Sequence, residues 1–240
     1  MFRSRLGLTV VLMIVFTANL LETRWEGRID SEHPLNPHGY DFARAMQQLE
    51  HQVGVGKFEN HDATSAIALW GYSISYFFLF PMLCVAVALA LAWREDLEAY
   101  RVFCMAIAID YGISLGFFIF MPVPERWFVP DSGAMLLSDL LDPRWIESIR
   151  FVSSLDNCFP STHTSLTSIL ILLCYRFRVR LRTTVLALGL PVILATFALG
   201  IHWLPDIVAG AAVGWLSVGA AQLFSQRLRR VGSIGLAYSA

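Results

Sequence analysis

The chain has 240 residues, 56% of them hydrophobic and only 15% charged, with a formal net charge of −1 and a mean hydropathy of +0.56. A water-soluble domain carries about 25% charged and 45–50% apolar residues, so this composition excludes a disordered chain, a coiled coil and a water-facing surface of ordinary extent. The balance of charge offers no basic face for nucleic acid, and the expectation is one integral membrane domain over residues 1–240.

Six apolar runs follow one another along the chain: Leu6–Leu21, Ala66–Trp93, Val102–Met121, Cys158–Tyr175, Thr183–Ile201 and Ile207–Phe224. A membrane-crossing helix needs roughly 20 mostly apolar residues, within about 17–25, and none of the runs alternates as a strand would. An all-α, six-helix membrane bundle is therefore predicted. Arg3 and Arg5 ahead of Leu6–Phe16 also resemble the start of a signal peptide, but Thr17-Ala18-Asn19-Leu20 offers no clean small-x-small cleavage site, and the run is read as a retained helix. The second run is long enough to tilt or to extend beyond the bilayer.

In the segment between the first two runs, Phe42, Met46, Leu49 and Val53 recur at helical spacing after Asp41, which is placed as the N-cap; this predicts an amphipathic helix on the membrane surface. Asp110 is the only acid inside an apolar run and is read as a structural polar contact rather than a site. Gly210 and Gly214 form a Gly-x-x-x-Gly pattern that predicts close helix packing within the bundle. Most of the seven tryptophans, Trp203 among them, lie near run ends, as an aromatic belt would. Cys84, Cys104 and Cys174 lie inside apolar runs and Cys158 at the edge of one. With no C-x-x-C and no Cys/His ligand spacing, neither a disulfide framework nor a zinc site is expected.

With six spans and the N-terminus in the cytoplasm, the cytoplasmic side holds 11 cations against three acids and the other side seven cations against 15 acids. The positive-inside rule favours this arrangement, with Arg176, Arg178, Arg180 and Arg182 as its strongest vote. Both termini then face a cytoplasm, in a plasma membrane of the bacterial or archaeal kind. Segments Glu22–Ser65 and Pro122–Asn157 face outward, and so do all six histidines: His33, His38, His51, His61, His163 and His202.

Three of the outward helix ends carry chemistry. Asp156-Asn157-Cys158-Phe159-Pro160-Ser161-Thr162-His163-Thr164 opens the fourth helix, with Pro160 placed in the first turn. A helix start offers free N–H groups and the positive end of the macrodipole to an anion, Ser161 adds a hydroxyl and His163 a proton; an ordinary capped helix start is the alternative. At the join of the fifth and sixth helices stands Gly200-Ile201-His202-Trp203-Leu204-Pro205-Asp206. A carboxylate on Nδ1–H sets the imidazole tautomer and leaves Nε2 as a nucleophile; a capping Asp beside an interfacial His is the alternative. Just past the third helix, Pro122-Val123-Pro124-Glu125-Arg126 brings a guanidinium suited to phosphate. Six spans put Arg126, Ser161, His163, His202 and Asp206 on one face.

These residues resemble the type 2 phosphatidic acid phosphatase superfamily, and within it the branch similar to fungal inositol phosphorylceramide synthase. Pro160, Ser161 and His163 match the Pro-Ser-x-His motif; His202 and Asp206 match His-x-x-x-Asp, followed by Ile207-Val208-Ala209-Gly210; Pro122–Arg126 is similar to the Pro-rich first motif of the branch. The resemblance covers roughly Phe42 to Gly214. The broader superfamily has Ser-Arg ahead of the third-motif histidine where this chain has Ala195 and Thr196, and Lys57, the only lysine, is no counterpart of the first-motif Lys. Arg144 or Arg150 is the expected replacement for the missing charge. The resemblance implies attack on phosphorus by His202, orientation by Asp206, proton transfer by His163, and phosphate held by Arg126, Ser161, Thr162 and helix N–H groups, with no metal and no cofactor. The partners it implies are a lipid phosphate or phospholipid and, for a transferase, an alcohol acceptor. Hydrolysis and headgroup transfer share these motifs. The alternative from another class is a non-enzymatic transporter or scaffold with polar residues at its mouth.

Overall fold

The computed structural model describes residues 4–29, 37–55 and 65–237. His33, Lys57 and His61 lie outside them. The described residues are helical, with no strand beyond one isolated parallel bridge, Val123 to Asn157. The helices are α1 (Arg5–Ile29), α2 (Pro37–Gln52), α3 (Ala66–Ala92), α4 (Leu97–Phe120), a one-turn α5 (Arg144–Glu147), α6 (Thr162–Arg176), α7 (Arg182–Ala198) and α8 (Leu204–Ala237). A π-helical turn, Ser75–Leu79, interrupts α3.

Four helices are long and apolar enough to cross a membrane: Arg5–Trp25 of α1, α3, α4, and Leu204–Arg230 of α8. Their outer faces carry large exposed apolar side chains, such as Leu6, Ile67, Phe78, Met82, Phe120, Val208 and Trp215, as a lipid-facing surface does. This is a membrane protein. The other two predicted spans are shorter than their apolar runs. α6 has 15 residues and α7 has 17, or about 22 and 26 Å of helix against a hydrocarbon core of about 30 Å. The reason at α6 is local. Cys158–Ser161 stays irregular because Pro160, behind a cis peptide bond, has no N–H and restricts its predecessor. Ser161 is the N-cap, accepting from Thr164 N. Pro160 thus precedes the cap instead of occupying the first turn.

α4, α6 and α8 pack against one another; α1 lies on α4, and α7 on α6 and the π turn of α3. Buried Val102, Phe103, Ala106, Leu170, Leu173 and Val218 fill the space between them. The glycine pattern works inside the molecule as expected. A Cβ on Gly210 would stand 2.4 Å from the Ser161 carbonyl oxygen, and one on Gly214 2.5 Å from that of Ser165. Gly210→Ala therefore forces α8 off the start of α6, at a cost of about 1–3 kcal/mol, and lowers both thermal stability and activity. Gly219→Ala, whose Cβ would meet nothing within 4 Å, is expected to leave both unchanged; thermal melts and turnover of the two variants check this.

Asp110, on α4, accepts a 3.0 Å hydrogen bond from Ser165 on α6, which is the structural contact expected of it. At one end of the molecule, Arg5 donates to the Ala92 and Arg94 carbonyls at the end of α3, and Arg229 pairs with Glu98. The arginines of the α6–α7 turn lie at the opposite end of α6 from His163.

α2 begins at Pro37, so Asp41 lies inside the helix and not at its cap; proline, lacking an N–H, suits the first helical position. Only part of its apolar stripe faces protein. Ala43 and Met46 are buried, with Phe42 against them, on Val123, Val129, Cys158 and Trp203, while Leu49 and Val53 are exposed. The contact is close: a Cβ on Gly39 would overlap the Pro122 carbonyl.

Candidate active site

Backbone hydrogen bonds tie the three sequence motifs together. Val123 N donates to Asp156 O at 2.7 Å and Cys158 N to Val123 O at 3.1 Å, so the first motif lies along the segment that leads into the second. Arg126 N and Trp127 N donate to Ile201 O and Gly200 O, both at 2.9 Å, joining the first motif to the third. Ser161 N donates to Asp206 O at 3.2 Å, joining the second to the third. Peptide groups buried here need partners, and satisfying them in one another holds the loops in register.

His202 is tethered by its own N–H to Thr196 O at 3.0 Å. Its Nδ1 lies 3.4 Å from Asp206 Oδ2, and both side chains are buried. Asp206 Oδ2 also accepts from Trp203 N at 2.8 Å. Asp206 sits in the first turn of α8, where the macrodipole favours a carboxylate. With Nδ1 directed to Asp206, Nε2 is the free ring nitrogen. His163, the second residue of α6, is sandwiched by α3. Tyr76 stacks on it at 4.2 Å with 17° between the planes, and Phe80 lies 4.3 Å away. Its ring centre is 6.4 Å from that of His202. Both aromatic neighbours come from the π turn and the residue after it; such turns recur at functional sites because they re-aim side chains.

Arg126 is fully buried. Its guanidinium lies over the Phe197 ring at 4.8 Å and the Trp203 ring at 5.9 Å, and its Nε is 3.2 Å from Glu50 Oε2 of α2. Nη2 donates to Ser132 O at 3.4 Å; Nη1 has no hydrogen-bond partner among the described residues. Burial lowers the pKa of Arg126, and the Glu50 carboxylate opposes that shift. Burial likewise raises the Glu50 carboxyl above its usual range, against the hydrogen bond from Leu204 and the charge of Arg126. Glu50 Oε1 accepts from Leu204 N at 2.7 Å and so also caps α8.

Glu50→Gln keeps that cap but removes the charge. Breaking a buried pair from one side costs about 3–5 kcal/mol, so the melting temperature should fall. Inorganic phosphate or vanadate, which restores a negative partner for Arg126, should raise it more in this variant than in the parent; thermal melts with and without the anion measure the difference.

Ser161 is fully buried, and its Oγ accepts from Thr164 N at 3.4 Å and from Thr164 Oγ1 at 3.1 Å. Its own hydroxyl hydrogen is left to donate. The N–H groups of Thr162 and His163, at the first two helical positions, have no intrahelical acceptor. His202 and Asp206 are in contact, the His163 ring lies beside that of His202, and Ser161 and Arg126 are joined by their backbone N–H groups to Asp206 and Ile201 of the third motif.

Other expectations fail. Arg144 is exposed and chelates its neighbour Asp142, and Arg150 is held by Glu125 at 2.7 and 2.9 Å, so neither is an unengaged replacement for the missing cation. Glu125, odd within the first motif, is the acceptor for both Arg150 and the Trp127 indole. Trp203 is no interfacial anchor: it is fully buried and donates to Pro124 O at 3.3 Å. Thr196 cannot act as the superfamily's arginine, and its hydroxyl is bonded to Ile193 O.

Sequence reasoning missed Glu50, Tyr76 and Cys158. The Cys158 thiol lies 2.9 Å from Asp206 Oδ2 and 3.2 Å from His202 Nδ1. The ligand atoms of Cys158, His202 and Asp206 fall within 4.8 Å of one another, the one such group able to hold a metal among the described residues. A separation of 44 positions in the sequence hides this grouping. α1 reaches the same region: Glu22 accepts from Asn157 at 2.8 Å, and Asn19 donates to Val152 O at 3.0 Å.

No curated protein and no solved structure matches the chain significantly. The sequence model of the PAP2 superfamily matches residues 97–230, more than half of the chain and the part that carries all three motifs. The chain belongs to the PAP2 superfamily, whose members are generally phosphatases or phosphotransferases acting on phosphate substrates.

Proposed function

We propose that this chain is a membrane enzyme that cleaves or transfers a phosphate or phosphoalcohol group of a lipid at the outer leaflet, through a phosphohistidine intermediate. The observation that carries this reading is the buried His202–Asp206 pair with the His163 ring centre 6.4 Å from that of His202. His202 Nε2 attacks phosphorus and the bond to the lipid oxygen breaks. That oxygen takes a proton from His163. Asp206 stabilises the positive ring of His202. Water or an alcohol then attacks the phosphohistidine, gives its proton to His163 and frees His202. Arg126 Nη1, the Ser161 hydroxyl and the first N–H groups of α6 donate to the non-bridging oxygens, where such transfers need charge stabilisation most. Thr162 lines the same helix start. Stacking on Tyr76 and the contact with Phe80 fix the orientation of the His163 ring beside His202.

In this scheme six helices cross the bilayer with both termini in the cytoplasm, and α6 and α7 are short because the site is recessed below the outer surface. The arginine-rich end of the molecule fits the cytoplasmic side. One observation favours headgroup transfer in the manner of inositol phosphorylceramide synthase. Ala195 is buried among Leu69, Tyr76 and Leu136 and Thr196 is turned into its own helix, so the superfamily's Ser-Arg is replaced by neutral groups, as in that branch. A phosphodiester brings less negative charge than a monoester and needs fewer cations.

Incubating purified protein with labelled phosphatidate and with a labelled phosphodiester lipid, each with and without an alcohol, separates the versions. Free phosphate without acceptor marks a phosphatase. A new phosphodiester formed only with the alcohol marks a transferase. No product from any lipid supports the transporter alternative.

A further inference from the structure

We infer that Cys158, His202 and Asp206 form a three-ligand site for a thiophilic divalent cation such as Zn²⁺, whose occupancy silences the enzyme. The three ligand atoms come from the loop before α6 and from the loop and first turn that open α8, which the backbone bonds above clamp together. Cys158 Sγ is 2.9 Å from Asp206 Oδ2 and 3.2 Å from His202 Nδ1, and His202 Nδ1 is 3.4 Å from Asp206 Oδ2. Tetrahedral zinc with sulfur at about 2.3 Å and nitrogen and oxygen at about 2.0–2.2 Å sets its ligands ~3.3–3.6 Å apart. Spreading of up to about 0.7 Å, largest between Cys158 and Asp206, would admit the ion. The donor set of thiolate, imidazole and carboxylate suits zinc better than magnesium or calcium.

Two further features point to a cation. Asp206 Oδ1 is buried and has no hydrogen-bond partner among the described residues. The second buried carboxylate nearby, Glu50, has its charge matched by Arg126, which leaves Asp206 with only the two backbone and side-chain donors already named and a neutral thiol. Metal bonds form as the thiol proton and the Nδ1 proton leave, since thiolate and the unprotonated ring nitrogen are the ligand forms.

The inhibitory consequence rests on the proposed role of His202 as nucleophile; the binding site does not. A cation on Nδ1 takes the place of the Nδ1–H that Asp206 receives. It draws electron density from the ring, so Nε2 loses nucleophilicity and the positive ring formed after attack loses its counter-charge. Magnesium or calcium, lacking affinity for sulfur, should not reproduce the effect.

The test uses full-length, tag-free protein in detergent, with Co²⁺ as a spectroscopic probe. One equivalent of Co²⁺ should give a thiolate-to-metal charge-transfer band, and one equivalent of Zn²⁺ should abolish it. Cys158→Ser and His202→Ala should each lose the band, although both keep Cys84, Cys104 and Cys174. In parallel, Zn²⁺ should inhibit lipid-phosphate turnover reversibly on chelation, and Cys158→Ala should raise the inhibition constant at least tenfold, each protein being compared with its own uninhibited rate. Absence of the band in the parent protein, or an undiminished band in Cys158→Ser, overturns the site. A band with no phosphatase or transferase activity keeps the site and removes the phosphohistidine reading; activity that Zn²⁺ leaves untouched, with the band present, removes the inhibitory consequence.

Discussion

Alanine in place of His202 is expected to lower turnover of the lipid substrate by about 10⁴-fold or more, in a protein that still folds with a lowered melting temperature. His202 is the only residue in the proposed scheme that forms a bond to phosphorus, and no neighbouring group stands in its place. Deleting the nucleophile of a catalytic set removes nearly all of the rate above a residue supplied by charge stabilisation alone. A factor of 10⁴ corresponds to about 5.5 kcal/mol of barrier. The substitution leaves the buried Asp206 without its ring partner, but it does not undo the loop. The loop is held by backbone bonds from Arg126, Trp127 and His202 N–H groups, all of which survive the substitution. Initial rates of phosphate release or headgroup transfer, with a thermal melt on the same preparation, measure both quantities. Wild-type turnover in His202→Ala would remove the histidine from the chemistry.

His163→Ala should separate leaving groups. With a lipid phosphate, whose departing alkoxide needs a proton, the loss should be about 10²–10⁴-fold, the range for a positioned general acid. With an aryl phosphate the departing phenolate is stable without protonation, and the loss should shrink to about tenfold. The His163 ring packs between Tyr76 and Phe80, so the substitution also leaves a gap. A merely structural role would lower both substrates by the same factor. Equal losses on the two substrates would therefore contradict the proton-transfer role while leaving His202 untouched.

Much of this was legible in the sequence because each signal was local. Apolar runs gave the long helices α1, α3, α4 and α8 to within a few residues at most ends. His202 and Asp206 stand four apart, Ser161 and His163 two apart, and the helix starts that carry them are marked by proline and serine. What the sequence hid depends on contacts between distant segments. Glu50 looks like one more polar residue of an amphipathic helix. Only the approach of α2 over Pro122, permitted by Gly39, brings it to Arg126. Arg150 looked like a spare cation because its partner, Glu125, is 25 residues away. Trp203 looked interfacial because apolar-run ends usually are, whereas here two loops fold over it. Tyr76 lies in an unbroken apolar run, and the π turn that aims it at His163 has no mark in the residue pattern.

The helix lengths follow the same division. Composition measures how apolar a run is, and α6 and α7 come from runs long enough to span. Their ends are trimmed by loop chemistry: Pro160 and Ser161 before α6, and the turn from Leu199 through Gly200 after α7, where Gly200 adopts φ +81°, a conformation open mainly to glycine. Those trimmed ends carry the residues of the proposed site.

The proposed mechanism turns on a covalent bond between His202 and phosphorus. The direct measurement is to mix the protein with a lipid labelled at phosphorus, quench within one turnover, and locate the label by peptide mapping. The expected result is an acid-labile, alkali-stable phosphoryl group on the peptide containing His202, absent from His202→Ala and accumulating in Asp206→Asn or in the absence of acceptor when turnover slows. Label on another residue, or turnover with no labelled peptide trapped under any of these conditions, would contradict it.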